Sequence, residues 1–148
     1  MVVKQIPCKG IIRGTASGEI LFSHTPISFI GGVDYVTGII KDPKSDQCGQ
    51  CVADKIFVFP FGKGSSGAGL VLLELIRIGK APKAMVNINT STVLLIAPLI
   101  AREFYKKIVP VVTVDESFMN ILSTMKACTV DGVKESITEV YEKDRNVI

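Results

Sequence analysis

Apolar residues fall in short runs punctuated by Gly, Pro and Ser, and the character of the runs changes part-way along the chain. Gly10–Gly14 and Gly18–Phe22 predict two short strands with a tight Gly/Thr connection between them. Ile27–Ile30 is a third apolar run, broken by Gly31 and Gly32, and Val36–Ile40 predicts another short strand ahead of a polar loop at residues 41–50. Lys55–Phe59 then reads as a buried strand stopped by Pro60. A Gly- and Ser-rich turn from Phe61 to Gly69 leads into a predicted helix over Leu70–Arg77, ended by Gly79. Ala84–Asn87 is a short strand and Pro98–Phe104 a helix. Val109–Val114 is a strand in which Pro110 marks either an edge or a start. Ser117–Met125 is helical, and Thr129–Asp131 with Ile137–Val140 form a closing hairpin. Strands first, then strands alternating with helices, make a mixed α/β class.

The chain has 148 residues, the size of one domain, and can bury a core without disulfides or a structural metal. Apolar residues make up 47% and charged residues 21%. That balance fits either strands covered on both faces or a surface closed by a partner. The net charge is +3 and the basic residues are scattered, so no nucleic-acid patch is present. The longest apolar run, Val93–Ala101, contains Pro98 and is far short of the roughly twenty residues a bilayer needs. Met1–Gln5 opens no apolar leader segment. The expectation is a cytoplasmic protein, bound to neither membrane nor nucleic acid.

Cys48 and Cys51 form a C-x-x-C pair. A redox pair and half a zinc site are both open to it, but a second pair is missing, and the lone His24 is remote in sequence. The pair also follows a polar loop rather than a strand-to-helix turn, which favours a structural role.

Pro60–Gly69 is the most informative segment. It runs from a strand end through a flexible turn into a helix. Glycines at 62, 64, 67 and 69 let a ligand approach the main chain. Ser65 or Ser66 can cap the helix, and the remaining N–H groups with the helix dipole suit a carboxylate or phosphate. The segment is not a phosphate-binding P-loop, because the position five before Gly62 is Phe57 rather than glycine. Gly62, Gly64 and Gly67 match the dinucleotide pattern literally, yet no acidic residue closes a second strand at Ala84–Asn87. A glycine-rich helix cap without chemistry remains open on these residues alone.

Four motifs in order resemble the aconitase X small-subunit family: Ile27–Asp34, Thr37–Ile39, Phe59–Gly67 and Ala81–Ala84. The resemblance covers nearly the whole chain and leaves out the last eight or so residues, where a tail is expected. It implies a swivelling domain with a β/β/α barrel-like fold over residues 1–148. It also implies a two-subunit hydro-lyase, active only with a large partner subunit. In that family a 4Fe–4S cluster, held by cysteines of the large subunit and not by this chain, acts as Lewis acid on the departing hydroxyl. Archaeal members dehydrate (R)-5-phosphomevalonate to trans-anhydromevalonate 5-phosphate in an isoprenoid route; bacterial ones act on cis-3-hydroxyproline. The separate-subunit format leans to the former.

The same resemblance makes Ser65 the proton acceptor, with Lys63, Gly64, Ser66 and Gly67 as substrate-binding positions. A serine hydroxyl is a poor base unless nearby N–H groups, a helix N-terminus and a cation stabilise its alkoxide. The glycines, the following helix and Lys63 are suited to that. Aconitase has an arginine directly after its two serines; here that place is Gly67, so the cation for the substrate carboxylate comes from elsewhere. Outside this segment, Asp34 reads as a turn cap and Arg13 as the partner of an acid. His24 reads as a loop residue, and Asn87 and Asn89 as strand-end residues that touch substrate or shape a loop. Glu19, Asp115 and Glu116 show no paired-carboxylate spacing. A stand-alone anion-binding module, needing neither partner nor iron, is the rival from another class.

Overall fold

The computed structural model describes residues 4–63 and 67–141. Eight strands form one sheet: β1 Gln5–Pro7, β2 Lys9–Ile12, β3 Thr15–Phe22, β4 Ile56–Val58, β5 Ala84–Asn87, β6 Val111–Thr113, β7 Ala127–Asp131 and β8 Ser136–Glu139. Their spatial order is β1-β8-β7-β3-β4-β5-β6-β2. The middle strands β3, β4, β5 and β6 run parallel, and both flanks are antiparallel.

β1 and β2 lie at opposite ends of that order, yet only Cys8 separates them in the chain. The sheet must therefore curl until its two ends meet. The seam is tight: Cys8 N–H donates to Glu135 C=O at 3.1 Å, and a Cβ on Gly10 would collide with Gly132 C=O. Inside the curl, buried side chains from six strands pack together, among them Ile6, Ile56, Val86, Val112, Val130 and Ile137, and Ala16, Ile20 and Phe22 of β3 pack against them. Outside it, Phe57, Phe59, Met85 and Val111 meet two helices, α1 (Gly67–Ile78) and α2 (Thr92–Ile100). The alternation of β4 makes this division: Ile56 and Val58 point inward, Phe57 and Phe59 outward, and all four are fully buried. A third helix, α3 (Met119–Thr124), follows a 3-10 turn at Glu116–Phe118, and its Leu122 is buried in the inner core. The barrel-like α/β architecture expected from the sequence is the one observed.

Local chemistry explains the ends. α1 stops in a Schellman arrangement, with Gly79 at φ +78°, Lys80 N–H on Leu75 C=O at 2.8 Å and Gly79 N–H on Ile76 C=O at 3.2 Å. Lys107 Nζ adds a cation there, donating to the carbonyls of Ile76 and Arg77 at 3.1 and 3.0 Å.

Two expectations are corrected and one alternative is resolved. Val36–Ile40 is not a strand: residues 35–37 are turn, and Ile39 and Ile40 make single bridges to Cys51 and Val33. Asp34 accounts for this, because its carboxylate accepts from the N–H of Val36 and Thr37 and curls the chain. The helix expected over Pro98–Phe104 starts earlier, at Thr92, where Ser91 caps it, and its last turn widens into a π-helix at Ala101–Tyr105. Pro110 marks a strand start and not an edge, since β6 lies between β5 and β2. The expected tail after Tyr141 lies outside the described residues.

Candidate active site

In sheets with parallel strands, ligands gather at the carboxyl ends, where crossover loops leave the strands. Here four parallel strands end side by side, and the chain leaves β4 through the glycine-rich segment. Of the predicted site residues, Lys63 is described and exposed, and Gly67 is the first residue of α1. Gly64, Ser65 and Ser66 lie outside the described residues. The site is therefore built from what brackets them.

The approach is clamped on both sides. Ile27 N–H donates to Phe61 C=O at 3.1 Å, and Lys63 N–H to Ile27 C=O at 2.8 Å. On the other side, Ile88 N–H donates to Pro60 C=O at 2.9 Å and Phe61 bridges Asn89. Ile27, at the head of one resembling run, thus lies against Phe61–Lys63 of another. Two of the glycines have a packing reason that sequence reasoning missed. A Cβ on Gly62 would run into Leu94 Cδ1, and Leu94 is buried. A Cβ on Gly69 would stand 2.8 Å from Val93 C=O. Both glycines let the flanks of the segment seat directly on the first turn of α2, and neither has a positive φ.

The electrostatics favour an anion. The N-terminal ends of α1 and α2 both lie at this edge, and neither helix has an acidic residue in its first turn. From Phe59 to Ala101 the single acidic residue is Glu74, and Arg77 neutralises it at 2.6 Å. Lys63 adds an exposed positive charge. Asn87 closes β5 on the outer, helix-bearing face beside Phe59 and is fully buried. Its Oδ1 accepts from Thr90 Oγ1, while its Nδ2 has no acceptor among the described residues.

A second cluster sits where β3 ends. Asp46 accepts from Ser23 Oγ, Thr25 Oγ1, the His24 N–H and, at 2.9 Å, His24 Nδ1. Burial alone would raise its carboxyl pKa, but these donors outweigh burial and hold it below the ordinary value. The network anchors the long β3–β4 connection, helped by Gln47 Nε2 on Phe22 C=O at 2.7 Å. His24 itself is exposed and lines a cleft of about 170 Å³ with Phe22, Pro60, Ile88, Glu116 and Met119, between the strand ends and α3. Asp34 is a turn cap, as its sequence context suggested: the N–H groups of Thr37 and Val36 hold its carboxyl below the ordinary value.

The aconitase X swivel-domain description matches residues 5–139. The chain belongs to that family. It is 37% identical over 137 residues to the phosphomevalonate dehydratase small subunit of Pyrococcus furiosus, spanning 92% of this chain and 96% of that one. Its identity to the protein of that name in Archaeoglobus fulgidus is 42% over 136 residues, 91% and 97% of the two chains. The crystal structure of Thermococcus kodakaraensis aconitase X in its holo-form superposes with a TM-score of 0.80 at 33% identity, covering 93% of this chain and 99% of that chain.

The swivel domain's own donors do not suit the iron–sulfur cluster that the family implies. A cluster needs thiolates converging from suitably spaced cysteines. Burial pushes the Cys128 thiol up to about 12. Burial, then Glu135 and Asp131, push that of Cys8 to about 11. Cys51 Sγ is committed to Thr37 C=O at 3.3 Å, and Cys48 is exposed. Among the described residues no three His, Cys, Asp or Glu side chains come together to hold a metal ion.

Proposed function

We propose that this chain is the small subunit of a two-subunit hydro-lyase that dehydrates (R)-5-phosphomevalonate to trans-anhydromevalonate 5-phosphate. Ser65 accepts the proton, and Lys63, Gly64, Ser66 and Gly67 bind substrate. The large partner subunit carries the 4Fe–4S cluster, and the pair works in the cytoplasm. The observation that supports this reading is what brackets the segment: β4 ends before it at its carboxyl end, exposed Lys63 precedes it, the N-terminus of α1 follows it, and Glu74 is the single acidic residue from Phe59 to Ala101. Near full-length similarity to archaeal small subunits of that name supports the substrate.

In chemical terms the elimination breaks a C–H bond next to a carboxylate and a C–O bond. Ser65 takes the proton from carbon as its alkoxide, stabilised by backbone N–H groups, the α1 dipole and Lys63. The electron pair left on carbon forms the double bond as the hydroxyl departs. The group that receives that hydroxyl belongs to the partner, because this chain's cysteines do not suit the cluster.

The test is anaerobic co-expression with the large subunit and an assay of water loss from 5-phosphomevalonate. Turnover that disappears when this chain is omitted is the expected result. An iron-containing complex active on cis-3-hydroxyproline instead would move the substrate, and failure to form a complex would leave an anion-binding module.

A further inference from the structure

Asn87 is fully buried, and its Nδ2 donor has no acceptor among the described residues. Burying an unpaired N–H costs about 1–3 kcal/mol, a cost that a leucine of similar size would avoid. The other end of the carboxamide has a definite task, since Oδ1 accepts from Thr90 Oγ1.

From Thr90 a continuous chain of contacts leads to the glycine-serine segment. Thr90 precedes Ser91, whose Oγ caps α2 by accepting from Leu94 N–H at 3.3 Å. Ser91 C=O takes the Leu95 N–H at 3.2 Å. The turn so fixed presents Leu94 Cδ1 to Gly62 and Val93 C=O to Gly69, the two glycines that seat the segment's flanks. Asn87 itself belongs to β5, hydrogen-bonded on both sides in the middle of the sheet.

We infer that Asn87 is a positioning residue: through Thr90 and the first turn of α2 it transmits the sheet's rigidity to Gly62 and Gly69, and so sets where these two glycines, on either side of the proposed catalytic positions in the sequence, are held. The catalytic part of this inference rests on the proposed dehydratase function; the mechanical part does not.

Two measurements test it on Thr90→Val, which keeps the shape of the side chain and removes its hydroxyl, with Thr90→Ser as the conservative rescue. The first is amide hydrogen exchange of the full chain. The expected result is exchange at least tenfold faster at Lys63 and in the first turns of α1 and α2 in Thr90→Val. Amides of β4 and β5 stay unchanged, and Thr90→Ser matches wild type. Unchanged exchange at those positions, or an even rise that includes β4 and β5, overturns the inference. The second is turnover in the assembled complex. Thr90→Val lowers kcat about tenfold with KM unchanged, since sub-ångström misplacement is enough to slow a positioned reaction. Asn87→Leu matches it, and the double variant is no worse than either single. A shift confined to KM would put the Nδ2 donor on the substrate and overturn the positioning role. If the wild-type complex does not dehydrate 5-phosphomevalonate, the functional reading fails, and the exchange experiment still decides the relay.

Discussion

Adding one methyl group at Gly69 sets two effects against each other. In an exposed helix, Gly→Ala gains about 1 kcal/mol from backbone entropy. Gly69 lies in the first turn of α1, so propensity alone predicts a more stable protein. The structure predicts the reverse. The new Cβ would stand 2.8 Å from Val93 C=O, a backbone atom that cannot swing aside. An ordinary contact needs several tenths of an ångström more, so the first turns of α1 and α2 must part. Overpacking of this kind costs about 1–3 kcal/mol. The net expectation for Gly69→Ala is a loss of up to about 2 kcal/mol, read from the urea midpoint at unchanged slope. Because the displaced turn adjoins the Gly64–Ser66 segment, turnover of the assembled enzyme should fall further than stability does, by about tenfold or more. Gly79→Ala is the control: at φ +78° it is strained, about 1 kcal/mol destabilising, yet it sits at the far end of α1 and should leave turnover intact. A Gly69→Ala protein more stable than wild type and fully active would refute the packing argument.

Gly62→Ala should be similarly harmful and partly rescued by Leu94→Ala, which removes the colliding atoms. Leu94→Ala alone should cost about 2–5 kcal/mol, and the double variant less than the sum, as denaturation of all four proteins would show. Asp46→Asn should destabilise the chain at neutral pH by about 1 kcal/mol through weakened hydrogen bonds. The folded carboxyl of Asp46 lies below its ordinary value, so its contribution is present above the unfolded pKa of about 4 and is lost as pH falls through the folded one. Stability curves of the two proteins should accordingly converge in acid, and a constant gap down to pH 2 would contradict this reading. With an alkylating reagent at pH 8, mass spectrometry should find Cys48 modified first. Cys128, buried with its thiol pushed to about 12, should stay protected until the chain unfolds.

How much of this was legible in the sequence follows from how local each cause is. β4 and β5 could be read because both faces are covered, which writes continuous apolar runs into Ile56–Val58 and Ala84–Val86. The closing hairpin and the Gly79 stop carry their own turn chemistry. The curl of the sheet was legible only through the family resemblance, because nothing local announces that Cys8 joins two strands at opposite ends of the order. The Val36–Ile40 run looked like a strand because its β-branched residues outweighed Asp34, whose two backbone hydrogen bonds decide the matter. The glycine-serine segment stood out for its glycines. Yet for Gly62 and Gly69 the reason given, room for a ligand, was incomplete: what needs the space is α2, and only the fold brings Val93 and Leu94 there. Asn87 was noticed as a strand-end polar residue, but its complete burial and single satisfied end depend on β4, β6 and the β5–α2 loop together.

The central claim is that this chain supplies the proton acceptor of a dehydratase completed by a larger subunit. The most direct test is Ser65→Ala, assembled anaerobically with the large subunit and compared with wild type for 5-phosphomevalonate binding, iron content and turnover. The account predicts unchanged assembly, iron and binding, with turnover reduced by about 10²–10⁴-fold, the usual worth of a positioned acid–base group. An assembled Ser65→Ala enzyme that retains substantial turnover would contradict it and remove Ser65 from the proton-accepting role.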